Sequence, residues 1–130
     1  MTDRDDVERW VGRYEAAWRS PDPRTLAEVF TVGATYLHSP YAEPIVGLEA
    51  IAAMWDAERD GPDEVFTLET GIVAVDGDTA VVRAVVRYGQ PVHQEYTDLW
   101  VIALDGDGRC HAFEEWPFWP GQPWSARVTP

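Results

Sequence analysis

The sequence predicts an α+β domain, helices first and strands last, and two observations carry that reading. Up to about residue 60 apolar residues recur three and four apart, the period of a helix with one buried face, whereas from Val65 onward the spacing becomes strand-like. Tight turns at Asp76-Gly77-Asp78, Gly89-Gln90-Pro91 and Asp105-Gly106-Asp107-Gly108 then cut the second half into long segments that must pair antiparallel. At 130 residues the chain makes one domain, residues 1–130, able to bury roughly two-thirds of the surface its unfolded form exposes.

Val7, Trp10, Val11, Tyr14, Ala17 and Trp18 share one face of a helix over residues 4–19. Asp3, Asp5 and Asp6 suit its start, where the helix dipole favours negative charge. Ser20-Pro21-Asp22-Pro23 ends that helix and begins a short second one, with Asp22 as N-cap and Pro23 at the first helical position. Leu26, Val29 and Phe30 form its apolar face, Gly33 closes it, and Ala34 to His38 reads as a strand. Ser39-Pro40 and Glu43-Pro44 disfavour helix, and Gly47 frees the backbone to enter a third helix. Leu48, Ile51, Met54 and Trp55 line one side of it, and Asp60-Gly61-Pro62 terminates it. Strands over residues 65–75, 79–88, 92–104 and 109–116 complete a meander.

In residues 80–86 and 99–104 apolar residues occupy both faces of the strand. A sheet with one face in water should alternate apolar and polar, so both faces must be covered. Helices cover one; a second copy of the chain is expected on the other, giving a homodimer. The tail, residues 117–130, is rich in aromatics and proline, and its stretch from Pro117 to Trp124 cannot be helical.

The net charge is −13, with 23 acidic against 10 basic residues. Such a surface repels phosphate backbones and anionic headgroups, which argues against nucleic acid and membranes as partners. The charged N-terminus lacks the apolar core of a leader, no run approaches membrane-spanning length, and the lone Cys110 has no disulfide partner. The expected location is cytoplasmic. Seven Trp, five Tyr and four Phe point to a thick core or an aromatic-lined cavity for an apolar small molecule.

His38 stands where a strand gives way to a turn-rich loop, and an imidazole with a pKa near ~6.5 takes and returns protons at neutral pH. The plainer alternative is a histidine bonded to backbone. In Tyr96-Thr97-Asp98-Leu99-Trp100, strand period two puts Tyr96, Asp98 and Trp100 on one face. A carboxyl among aromatics loses solvation and becomes a hydrogen-bond donor or general acid; otherwise Asp98 is a surface residue paired with Arg83 or Arg87. Tyr14 has a core ring whose phenol needs a partner, and Tyr36 and Tyr41 are further candidates. Glu114 and Glu115 must point to opposite faces, so one enters any cavity, though a bulge would reverse which. His38, His93 and His111 lack ligand spacing, so no metal is expected. Asp105-Gly106-Asp107-Gly108 lacks the lysine and following helix of a phosphate loop, and no cofactor is expected.

Arg13-Tyr14-Glu15-Ala16-Ala17-Trp18, Asp22, Leu26, Val29-Phe30, Ala34-Thr35-Tyr36, Glu43-Pro44 to Gly47 and Ile51 resemble the N-terminal half of the nuclear transport factor 2-like (NTF2-like) superfamily. The element order agrees over residues 5–118, and the resemblance is to the SnoaL-like polyketide cyclases and the ketosteroid isomerases. It implies a curved antiparallel sheet wrapped around three N-terminal helices into a cone, with a mostly apolar pocket at the open end. Tyr14 and Asp98 fall where ketosteroid isomerases keep two oxyanion-hole donors, while His38 replaces the aspartate that serves them as base. The Arg-x-Asp motif of limonene epoxide hydrolase is replaced by Tyr96-Thr97-Asp98. The implied activity is cofactor-free proton transfer next to a carbonyl, as in isomerisation, cyclisation or dehydration. His38 would abstract or shuttle the proton while Tyr14 and Asp98 hydrogen-bond the enolate oxygen. Trp18, Phe30, Trp55, Trp100 and Trp116 are expected to shape the pocket, with Tyr36, Tyr41, Tyr96 and Glu115 binding within it. The alternative is a non-catalytic ligand-binding or dimerisation module on the same scaffold.

Overall fold

A computed structural model describes residues 2–20, 22–59 and 64–127. Helix α1 (Arg4–Arg19) starts in a capping box, Asp3 and Asp6 each accepting the other's backbone N–H at 2.9 Å. Its buried face is Val7, Trp10, Val11, Tyr14 and Ala17. A 3₁₀ helix follows (Pro23–Glu28), capped by Asp22, whose carboxylate accepts the Arg24 N–H. Helix α2 (Leu48–Glu58) enters through Gly47, whose φ of 96° is open to glycine and strained for other residues. Pro21 and the terminator Asp60-Gly61-Pro62 lie outside the described residues; α2 ends at Glu58. Among the described residues no helix is long and apolar enough to cross a membrane.

The strands are β1 (Phe30–Leu37), β2 (Ile45–Val46), β3 (Phe66–Asp76), β4 (Thr79–Tyr88), β5 (Gln94–Leu104) and β6 (Cys110–Phe118). They form one curved, unclosed sheet in the order β2-β1-β6-β5-β4-β3, antiparallel except where β1 runs parallel to β6. The α+β class and the NTF2-like arrangement expected from the sequence are therefore present.

Several boundaries differ. The second helix stops at Glu28, so Phe30 opens β1 and Gly33 lies inside that strand instead of closing a helix. Phe30 is drawn into the sheet because its register partner Cys110 anchors β6 beside it, with the Cys110 N–H donating to the Val29 carbonyl at 2.8 Å. The turn-rich loop hides the two-residue strand β2, which pairs Thr35 with Val46. Strand β5 starts at Gln94 and not at residue 92, and β6 runs through Pro117 and Phe118, so the first tail residues belong to the sheet.

One face of the sheet carries the core. Ala80, Val82, Ala84 and Val86 of β4 and Asp98, Trp100, Ile102 and Leu104 of β5 point to it. There they meet α1, whose Trp10 is fully buried and donates its indole N–H to the Val29 carbonyl at 3.0 Å. Tyr14 is the hub. Its ring lies 4.9 Å from both Trp10 and Trp100 and stacks on Phe113 at 5.4 Å. Such contacts each add about 0.5–1.5 kcal/mol beyond area burial. On the opposite face Val81, Val85, Leu99 and Val101 are half-buried, beside exposed Trp116 and Phe118.

Candidate functional site

A cavity of about 760 Å³ opens where α1, α2 and β1 meet the ends of β4, β5 and β6. Its wall is aromatic: Tyr14 and Trp18 from α1, Tyr36 from β1, Trp55 from α2, Tyr88 from β4 and Tyr96 from β5. Strand parity explains the sheet's contribution, since Val86 and Tyr88, Tyr96 and Asp98, and Glu115 and Pro117 are each two apart. The mouth is built partly by the turn after β4. Gly89 has φ of 91°, and a Cβ there would collide with the ring of His93, which also lines the opening. Only glycine lets that imidazole fold over the turn.

Two carboxylates reach the interior. Asp98 is 7% exposed, and its Oδ1 has no hydrogen-bond partner among the described residues. Oδ2 accepts a long bond from the Trp100 indole N–H at 3.4 Å. Burial, and then the charge of Glu115, push the Asp98 carboxyl up to about 7. Glu115 Oε1 accepts the Tyr36 hydroxyl at 3.1 Å and sits 3.2 Å from His38 Nδ1. The other ring nitrogen, Nε2, lies 3.6 Å from Glu58 Oε1 at the rim. The hydrogen bond to Glu115 raises the imidazole above its ordinary range, against some burial and with help from the charge of Glu58. Burial holds the phenols of Tyr14 and Tyr36 protonated well above their ordinary range. A continuous polar chain runs from Tyr36 through Glu115 to His38 and Glu58.

The expected site residues separate into four groups. Tyr14, Trp18, Tyr36, Trp55, Tyr96, Asp98 and Glu115 border the cavity. Phe30 and Trp100 do not: each is 1% exposed and packs beneath Tyr14 and Phe113 as core. Tyr41 is fully exposed on the turn that the Ala42 N–H closes by donating to the Ser39 carbonyl at 3.1 Å. Trp116 also faces away. The bulge where Ala103 pairs Ala112 but Leu104 pairs Cys110 sets the parity of β6, turning Phe113, Glu115 and Pro117 inward and Glu114, Trp116 and Phe118 outward. Outside, the Trp116 indole N–H donates to Glu114 at 3.0 Å. His38 is absent from the cavity wall and touches it through Glu115. Among the described residues no three His, Cys, Asp or Glu side chains converge as metal ligands would.

Sequence reasoning missed Glu58, Arg59, Glu64, Tyr88, Gln90, His93 and Gln94, which also line the cavity. Tyr88 was within reach, two residues beyond Val86 on the inward parity of β4, and Glu58 stands one helical turn after Trp55. The turn residues gave no signal, since their place depends on how the turn folds back.

The SnoaL-like domain profile matches residues 11–111. No protein of curated function matches the sequence. Among solved structures, a proposed polyketide cyclase of Sinorhizobium meliloti is 26% identical, with a TM-score of 0.65 over 83% of this chain and 94% of that one. SalBIII, an epoxide hydrolase/cyclase-like enzyme of pyran ring formation in polyether salinomycin, superposes with a TM-score of 0.72 at 18% identity, over 91% and 95% of the two chains. A proposed ketosteroid isomerase of Kribbella flavida gives 0.71 at 16% identity, over 98% and 88%. With the profile spanning most of the chain and these folds superposing along nearly its whole length, the chain belongs to the SnoaL-like domain family.

Proposed function

We propose that this protein is a cofactor-free catalyst of proton transfer at the carbon beside a carbonyl, acting on a small, largely apolar compound held in the cavity. The observation that carries the reading is Asp98, a buried carboxyl with an unpartnered oxygen on a cavity that Tyr14 and Glu115 also line. Below about pH 7 Asp98 keeps its proton, and with Tyr14 it supplies two donors for an oxygen that gains charge. Glu115 engages Tyr36 and His38 through Oε1, which leaves Oε2 for a substrate C–H. In the step proposed, Oε2 takes the α-proton and the bonding electrons pass to the carbonyl oxygen as an enolate. The proton then returns to another carbon, or to a leaving hydroxyl in a dehydration. His38 acts through Glu115 as the shuttle, exchanging its proton with solvent near Glu58.

The outer sheet face, with Val81, Val85, Leu99, Val101, Trp116 and Phe118, supports a homodimer. A reducing, cytoplasmic setting suits the single thiol of Cys110. A second reading, ligand binding without turnover, is favoured by the absence of His38 from the cavity wall. The test is deuterium exchange at the α-carbon of enolisable ketones, followed by NMR. Protein-dependent exchange that disappears in Glu115→Gln supports catalysis; binding without exchange supports the second reading.

A further inference from the structure

We propose that the compound taken by this cavity carries a cationic nitrogen as well as its carbonyl, making it an amino ketone. The inference rests on the reading of this cavity as the substrate site and adds the charge of the substrate. Among the described residues, the carboxylates of Glu58, Glu64 and Glu115 line the cavity beside Asp98, which holds its proton up to about pH 7. Against them stand the guanidinium of Arg59 and the His38 imidazole that sits behind Glu115 and Glu58. His93 lines the cavity as well. The Arg59 cation is partly engaged already, its Nη1 donating to the Ser20 carbonyl at 2.6 Å. An anionic ligand would meet repulsion from several sides, whereas a cation relieves it.

The walls add a second attraction. Trp18, Trp55, Tyr88 and Tyr96 line the cavity, and a cation over the face of such a ring gains from its quadrupole, most for indole. Asp98 shows independently that a ligand group is wanted inside. It is 7% exposed and borders the cavity, and its Oδ1 lacks any partner among the described residues. The carbonyl would occupy Asp98 and Tyr14. The nitrogen would then sit nearer the rim among Trp55, Tyr88, Glu58 and Glu64. The chain's net charge of −13 draws cations toward that opening.

Three probes of matched size separate the possibilities: cationic 4-(dimethylamino)-1-phenylbutan-1-one, its neutral isostere 5-methyl-1-phenylhexan-1-one, and anionic 5-oxo-5-phenylpentanoate. Calorimetric titration at pH 7 and low salt should find the cation bound about tenfold more tightly than the neutral ketone, with the anion weakest. Added salt should narrow the gap. A Glu58→Gln, Glu64→Gln double variant with an unchanged circular dichroism spectrum should lose most of it. Equal binding of cation and neutral ketone overturns the inference, as does preference for the anion or failure of all three to bind. Cation preference without deuterium exchange at the α-carbon would uphold the nitrogen and remove the proton-transfer reading alone.

Discussion

His38 Nδ1 lies 3.2 Å from Glu115 Oε1, so the imidazole communicates with the cavity through that carboxylate. The contact ties a residue of the β1 end to the middle of β6. It also ties the two protonation states together, since a carboxylate beside an imidazole favours the charged ring.

Glu115→Gln should therefore move the titration of His38. The raised imidazole contributes stability below its ordinary range, and that contribution is lost as pH rises through the raised value. With glutamine in place of the carboxylate, the largest cause of the upward shift is gone, and the His38 midpoint followed by NMR should fall. Any α-proton exchange should drop by about 10²–10⁴-fold. An unmoved midpoint would mean that the pair does not form in solution.

Asp98→Asn should stabilise the fold at alkaline pH and leave it little changed near pH 4. The folded state holds the Asp98 proton up to about pH 7, whereas an unfolded aspartate releases it near its ordinary value of 3.8. Stability from this group is thus present at low pH and lost as pH rises toward 7. The penalty above that point has an upper bound of about 4 kcal/mol. Thermal melts of both proteins at pH 5 and pH 8 check the sign, and a larger gain at pH 5 would contradict it.

Tyr14→Phe and Tyr14→Ala should behave differently. The ring is packed on Trp10, Trp100 and Phe113, so loss of the hydroxyl alone should leave the melting temperature nearly intact while lowering turnover. Removing the ring should cost about 3–5 kcal/mol by opening a cavity in the core. Denaturant melts beside exchange assays separate the two roles.

Val101→Glu puts a charge on the half-buried outer face of β5, among Leu99, Val81 and Trp116. Sedimentation velocity should find the parent chain as a dimer at micromolar concentration and this variant as a monomer. A monomeric parent would remove the dimer. By contrast, Tyr41→Ala, at a fully exposed position, should change stability by no more than about 0.5 kcal/mol.

Much of the fold was legible because it rests on local rules. Trp10, Tyr14 and Trp18 fall four apart, so they share the buried side of α1 whatever the rest of the chain does. The glycine turns at Gly77 and Gly89 adopt positive φ and reverse the chain where the sequence places them. The boundary of β1 was less accessible. Phe30 suits a helix as well as a strand, and pairing with Cys110, eighty residues later, decides the matter.

The sequence by itself determined the order of elements, the face of β5 that carries Tyr96, Asp98 and Trp100, and the acidic, aromatic chemistry available to the site. Only the tertiary structure decided which of those groups meet. The bulge in β6 selected Glu115 over Glu114, sent Trp116 outward, and placed His38 behind a carboxylate instead of in the cavity. The reason is physical: periodicity is set within a few residues of backbone, whereas a shared cavity depends on register between strands far apart in the chain, where one extra residue reverses every side chain beyond it.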